Sequence, residues 1–324
     1  MSAQRALVLG AAGQDGSYLC ELLVEKGYDV VGMVRRDPAS AMPNLESIRS
    51  RVRLVQADIA DTERVAATVA DVVPDEVYNF ASVSFGPDAW SHPVETARLG
   101  TVAFAALIQA VREHAPAARL FQASSAWVFG QPTAAPQDEN TPYAPVEPYG
   151  AAKAFGDFLI RAYRARDGLF ACSGIFYNHE SPRRPERFVT RKITRAAAAI
   201  SLGRADELLL GDLDALRDWG FARDYVAAAW SMLQEDQADD YVIATGELHS
   251  VRELVEAAFG ALDLDWERHV RVDPALRRAK GEVANLVGDP SAARSRLGWQ
   301  PTVSFEELVR LMVDADVEAL SREA

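Results

Sequence analysis

Tyr149 and Lys153 stand four residues apart in Tyr149-Gly-Ala-Ala-Lys153, a spacing that puts a phenol and an ammonium on one helix face. A nearby ammonium favours the phenolate, so the pairing is expected to lower the Tyr149 pKa until the oxygen can take a proton from an alcohol. The same lysine can hydrogen-bond a nicotinamide ribose. Ser125 follows the strand-like run Leu120-Phe-Gln-Ala-Ser124. Parallel sheets place ligands at that end of a strand, where its hydroxyl could orient a reacting alcohol oxygen. Ser125, Tyr149 and Lys153 are therefore the expected catalytic set. The plain alternative, a surface tyrosine beside a solvated lysine, is disfavoured by what precedes the pair in the chain.

What precedes it is Gly10-Ala-Ala-Gly13-Gln14-Asp15-Gly16, directly after an apolar run and at the head of an amphipathic stretch. Glycines are needed where the backbone turns sharply and approaches a pyrophosphate closely, and the following helix N-terminus offers free N–H groups to that anion. About 20 residues on, Arg35 and Arg36 stand where an acidic residue would select NAD and an arginine accommodates the NADP 2′-phosphate. NADP is favoured over NAD, with Asp37 the counter-evidence unless it pairs with the two arginines. Asp58 is a candidate partner for the adenine amino group.

These groups need a frame. Short apolar runs alternate with amphipathic stretches, the pattern of βα units around a doubly wound parallel sheet of Rossmann type. Strands are expected at Ala6–Leu9, Asp29–Val34, Val52–Gln56, Glu76–Phe80, Leu120–Ser124, Phe170–Phe176 and Tyr241–Ala244. Helices are expected at 15–26, 62–72, 95–114, 149–166 and 188–202. Residues 178–187, polar and Arg-rich, read as a loop. Ser250-Val-Arg-Glu253 and Ser304-Phe-Glu-Glu307 match the capping box, which starts helices at Val251 and Phe305. The expected division is a nucleotide-binding part, 1–177 with 220–246 returning to it, and a smaller, mainly C-terminal α/β substrate part, 178–219 with 247–324.

Composition sets limits. Lys plus Arg is 34 against 47 Asp plus Glu, a net charge of −13 that disfavours nucleic-acid backbones and requires locally clustered cations for any anionic ligand. Two cysteines, Cys20 and Cys172, make no disulfide framework, and no metal-site spacing occurs among the histidines. Cys172 reads as a core residue, Trp219 and Tyr225 as packing, and His92, His114, His179 and His249 as surface, loop or supporting residues. With no signal-peptide pattern and no apolar run of about 18 residues, the expectation is a cytoplasmic protein free of membrane.

Along essentially its whole length the chain resembles extended short-chain dehydrogenases/reductases, and within them the GDP-mannose 4,6-dehydratase family. The resemblance is carried by Gly13-Gln-Asp-Gly16-Ser-Tyr-Leu, Pro74-Asp-Glu-Val-Tyr-Asn79 and Tyr149-Gly-Ala-Ala-Lys153. The narrower strings are Asn178-His-Glu-Ser-Pro-Arg-Arg184, Phe188-Val-Thr-Arg-Lys-Ile-Thr-Arg195, Gly211-Asp-Leu-Asp-Ala and Arg217-Asp-Trp-Gly220. It implies C4 oxidation of a GDP-hexose by NADP, loss of water across C5 and C6, and hydride return to C6. It also implies a homo-oligomer, dimer or tetramer, in which the loop at Arg35 and Arg36 reaches a neighbouring subunit. Contacts to the GDP-sugar are implied for Ser84, Ser125, Trp127, Asn178, Arg191, Lys192, Arg217, Arg278 and Glu282.

Departures from the family gather on the sugar side. The elimination Glu is replaced by Trp127, Ser125 stands for Thr, Val83 for Gln, and Val146-Glu147 for Arg-Ser. Indole cannot shuttle a proton near neutral pH, and one lost acid/base group removes about 10²–10⁴ in rate. Glu147 is a conceivable relocated carboxylate, or simply a solvated loop charge. Three readings follow: a 4,6-dehydratase working despite Trp127, a GDP-sugar 4-ketoreductase or epimerase, and a weakly active nucleotide-sugar-binding homologue.

Overall fold

Apolar runs without polar alternation fold as strands buried on both faces, and the strands of this chain do so. The computed structural model describes residues 3–82, 86–276 and 286–323. The chain begins β1 (Arg5–Leu9), α1 (Gln14–Glu25), β2 (Asp29–Val34), β3 (Val52–Gln56), α2 (Thr62–Val72) and β4 (Glu76–Asn79). Short helices α3 (Gly86–Ser91) and α4 (Pro93–Ala97) pass through a π-helical turn, Arg98–Val102, into α5 (Ala103–His114). Then come β5 (Arg119–Ala123), α6 (Pro148–Asp167), β6 (Ala171–Phe176), β7 (Asn178–Glu180) and α7 (Val189–Ser201). Next are β8 (Leu208–Leu210), β9 (Leu216–Arg217), β10 (Trp219–Phe221), α8 (Ala222–Met232) and β11 (Tyr241–Ile243). The described chain closes with β12 (His249–Ser250), α9 (Val251–Gly260), α10 (Trp266–His269), β13 (Val270–Val272), α11 (Ser291–Leu297) and α12 (Phe305–Arg322).

Seven strands form one parallel sheet in the order β11-β6-β5-β4-β1-β2-β3. From β1 the chain steps outward to β2 and β3, then crosses back to β4 on the other side of β1. That reversal opens a crevice beyond the carboxyl ends of β1 and β4, where open α/β sheets take their ligands. Each face of the sheet carries an apolar core, one around Val8, Phe121, Phe176 and Tyr225, the other around Leu7, Val31, Phe104 and Leu120. A third core joins Ile193, Trp219, Phe259, Phe305 and Val309 beneath the small sheets.

Element bounds follow the sequence closely, and both expected capping boxes are present at Ser250 and Ser304. One expectation is corrected. Residues 178–187 are not all loop: Asn178–Glu180 pairs in parallel with Trp219–Phe221, a three-residue ribbon too short to leave an alternation signal. The long helix expected over 95–114 is present and starts at Pro93, with one π-helical turn, Arg98–Val102, within it. By composition the stretch Pro93–His114 is long and apolar enough to cross a bilayer. Its inner side, Phe104, Leu107, Ile108 and Val111, instead packs in the sheet core.

Candidate active site

The crevice is a cleft of about 390 Å³, in the size range of small-molecule sites. Its floor is the turn between β1 and α1. Gly10 has φ +80°, and a Cβ there would stand 3.0 Å from the Ala81 nitrogen. A Cβ on Gly16 would fall 2.2 Å from the Gly10 carbonyl oxygen, so the helix can start this close to the strand only without a side chain. Gly13 is the N-cap and offers no side chain to the first amides of α1, which open on the cleft. Arg35 and Arg36, exposed just past β2, line the same cleft and make no ion pair among the described residues. Asp37 does not pair with them. Its Oδ1 accepts the Ala39 N–H at 2.8 Å.

The reacting end lies across the cleft. Ser125 leaves β5 as the N-cap of a short 3₁₀ turn, Ala126–Val128, and its Oγ accepts the Trp127 N–H at 3.4 Å. Tyr149 is in the first turn of α6 with the Ser125 hydroxyl in hydrogen-bonding reach. Lys153 is buried, its Nζ 5.6 Å from the Tyr149 ring centroid, and donates to the Ala123 carbonyl at 2.6 Å. Trp127 supplies the adjoining wall. The turn bearing Trp127 and the first turn of α6 touch, since a Cβ on Gly150 would fall 2.3 Å from the Trp127 carbonyl oxygen.

The expected lowering of the Tyr149 pKa is overturned. Burial pushes the phenol up to about 12, against the downward pull of Ser125 and Arg184, while the charges of Glu147 and Asp15 push it further up. Burial also brings the Lys153 ammonium down to about 8, opposed by Asp157 and Asp15.

Gly10, Gly13, Gln14, Asp15, Gly16, Arg35, Arg36, Ser125, Trp127, Tyr149, Lys153, Asn178 and Arg217 all line this one cleft. Arg217 donates to the Leu216 carbonyl at 2.6 Å, and the next residue, Asp218, is a buried carboxylate that accepts the Thr245, Gly246 and Gly288 amides. Three expected residues are placed elsewhere. Asp58 lies in a separate hollow with Asp61, Glu63 and Arg98. Arg191 binds the buried Asp316 carboxylate at 2.6 Å and the Pro182 carbonyl, tying the loop before α7 to α12. Lys192 is exposed and donates to the Leu209 carbonyl at 2.7 Å. Ser84, Arg278 and Glu282, with Val83, lie outside the described residues.

Among further cleft residues are His179, expected only as a surface, loop or supporting residue, and Arg184, to which no role was given. His179 Nε2 stands 3.1 Å from Asp15 Oδ2, its Nδ1 lies 2.7 Å from the Tyr177 carbonyl oxygen, and its ring stacks on Tyr225 at 4.7 Å. Burial opposes its charge, yet Asp15 wins and the imidazole pKa is raised. Arg184 lies over the Phe188 ring and pairs with Glu180 at 3.1 Å. Their signal was present in the string Asn178-His-Glu-Ser-Pro-Arg-Arg184, but neither residue carries a spacing that marks it.

The family described as GDP-mannose 4,6 dehydratase matches residues 7–312. The chain belongs to that family. GDP-mannose 4,6 dehydratase 1 of Arabidopsis thaliana is 44% identical over 330 residues, 98% of this chain and 91% of that protein. Among solved structures, the dTDP-glucose 4,6-dehydratase DesIV of Streptomyces venezuelae, with NAD and TYD bound, superposes with a TM-score of 0.87 at 25% identity over 98% of both chains. RMD of Pseudomonas aeruginosa, complexed with NADPH, shares the fold at a TM-score of 0.81 and 22% identity, over 98% of this chain and all of that one. The protein is thus an enzyme of the dehydratase and short-chain dehydrogenase/reductase class, with the extended Rossmann-type fold of that class.

Proposed function

We propose that this enzyme oxidises a GDP-hexose at C4 with NADP and carries GDP-mannose to a GDP-4-keto-6-deoxy-hexose. The observation that carries the reading is the convergence of Ser125, Tyr149 and Lys153 on the cleft floored by Gly10, Gly13 and Gly16. The cofactor fits this chain: side chains at Gly10 and Gly16 would fill the cradle, and Arg35 with Arg36 supplies cations at the end of β2. With Asp37 committed to the Ala39 amide, those arginines favour a 2′-phosphate and hence NADP over NAD. Held there by Gly10, Gly13, Gly16, Arg35 and Arg36, the dinucleotide would supply hydride-transfer chemistry at C4.

The chain's residues handle the protons and the geometry. Tyr149 takes the C4 hydroxyl proton as the phenolate, a role that requires substrate and cofactor to bring its pKa down from about 12, with Ser125 beside it to orient the sugar oxygen. Lys153 adds positive charge near the phenol. Asn178 and Arg217 reach the sugar nucleotide from the far wall, and its anionic groups suit the local arginines despite the acidic surface. Trp127 closes the sugar side and keeps water from it. The nucleotide part comprises 1–177 and 220–246, and the substrate part 178–219 and 247–324. The working form is a cytoplasmic homo-oligomer, to be read by sedimentation.

A second reading is favoured by Trp127 itself. An indole lining the sugar side cannot act as acid and base for loss of water, whereas Tyr149, Ser125 and Lys153 suffice for hydride exchange at C4. On that reading the enzyme is a GDP-sugar 4-ketoreductase or epimerase. Incubation with GDP-mannose and catalytic NADP⁺, followed by mass spectrometry, separates the two. Loss of water supports the dehydratase. Stoichiometric NADPH oxidation with a 4-keto sugar, or isomerisation at constant mass, supports the second, and no reaction with any GDP-hexose overturns both.

A further inference from the structure

Asp157 is completely buried, and nothing in the chemistry above uses it. It lies four residues beyond Lys153 and eight beyond Tyr149, so the three side chains follow one face of α6. Its Oδ2 accepts the Ser124 hydroxyl at 2.6 Å, and its Oδ1 accepts the Ser173 hydroxyl. Ser124 is also fixed through its N–H to the Gly174 carbonyl at 2.8 Å. One turn earlier on the helix, Lys153 holds the carbonyl of Ala123. Two successive turns of α6 therefore grip two successive residues at the end of β5, immediately before Ser125.

Burying a carboxylate without a partner is costly, so a fully enclosed Asp needs hydrogen bonds and a nearby cation. The serine hydroxyls give the first, and Lys153 is the charged group on the same helix face. We propose that Asp157 is a positioning residue for the reacting pair. It fixes Ser124, and with it Ser125, to the helix that carries Tyr149, and it supplies the buried negative charge that keeps Lys153 an ammonium.

The surrounding charges act unequally on the two groups: Asp157 holds the Lys153 ammonium up, whereas Lys153 is not among the main influences on Asp157 and makes no ion pair with it within 4.0 Å. Burial pushes the Asp157 carboxyl up to about 6, against Ser124, Ser173 and Tyr143, while Asp240 pushes it further up. Asp240 itself is held by Arg161 at 2.8 Å and Arg164 at 2.9 Å. Besides Asp157, Lys153 has Asp15 as its other stabilising charge. Between about pH 6 and 8, then, Asp157 is ionised and Lys153 protonated. Removing the carboxylate lets the lysine lose its proton at lower pH.

The sequence has four lysines, Lys26, Lys153, Lys192 and Lys280, so the whole chain labelled with ¹³Cε-lysine gives a spectrum simple enough to follow. In the unaltered enzyme the Lys153 signal, assigned by its loss in Lys153→Arg, should titrate near 8 with a smaller inflection near 6 as Asp157 protonates. Asp157→Asn should abolish the lower inflection and move the main midpoint down by about one pH unit or more. A midpoint unchanged in a folded Asp157→Asn enzyme overturns the proposal. Should that variant not fold, absence of the lower inflection in the unaltered enzyme overturns it equally.

The catalytic consequence rests on the C4-oxidation reading. In Asp157→Asn the alkaline limb of kcat/KM for GDP-mannose should move to lower pH, a shift that a merely structural residue would not cause. An alkaline limb left in place in an active variant also counts against the proposal. If GDP-hexoses are not turned over at all, that reading fails while the lysine titration still decides the role of Asp157.

Discussion

The two ends of the cleft are built from different materials. The phosphate end is backbone: Gly10, Gly13 and Gly16 make room by having no side chains, and the start of α1 faces the opening they leave. The reacting end is made of side chains, Ser125, Trp127, Tyr149 and Lys153, presented by β5 and α6. A site of the first kind tolerates almost no addition, because any new atom meets main chain. A site of the second kind can change its chemistry residue by residue on an unchanged frame, as fold and function are separable.

The comparison is sharpest at Tyr149. Tyr149→Phe removes the phenol beside Ser125 and should lower kcat by about 10²–10⁴ while leaving NADPH affinity within a few-fold. Turnover that survives in a stopped assay would remove the proposed base. Gly16→Ala tests the other end. With a Cβ 2.2 Å from the Gly10 carbonyl oxygen, it should cost about 1–3 kcal/mol in denaturant unfolding and weaken dinucleotide binding with it. An alanine variant as stable and as tight as the parent would mean that the turn is not close-packed. Replacing Arg35 and Arg36 together with alanine should shift preference from NADP toward NAD by about tenfold or more, as charge-assisted contacts to a phosphate are lost. Equal loss for both dinucleotides would assign the arginines to another partner. The smallest expected change is a gain: Trp127→Glu should increase formation of the dehydrated product, and no increase would show that further sugar-side residues had also diverged.

The same division explains what could be read from the sequence. Glycine spacing, a YxxxK pair and capping boxes are local, so α1, α6, α9 and α12 and the floor of the cleft were legible. Contacts between distant segments were not. Asp58 carries the right chemistry after β3 yet opens on a different hollow, and Arg191 is drawn to Asp316, 125 residues away. His179 reaches the cleft only because the Asn178–Glu180 ribbon and the start of α1 meet there. Protonation was the least legible property. The four-residue spacing predicts a phenol made more acidic by Lys153, but burial raises it, opposed by Ser125 and Arg184 rather than by Lys153, and no local pattern records the depth of a residue in the fold.

Gly150 rests against the Trp127 carbonyl with no space for so much as a methyl group. The main chain at residue 127 is consequently locked to the helix that bears the phenol, whereas the indole projecting from it is unconstrained by that lock. The site works like a fixed socket with an exchangeable tool: selection can swap the side chain at residue 127 without disturbing the alignment of Tyr149 and Lys153.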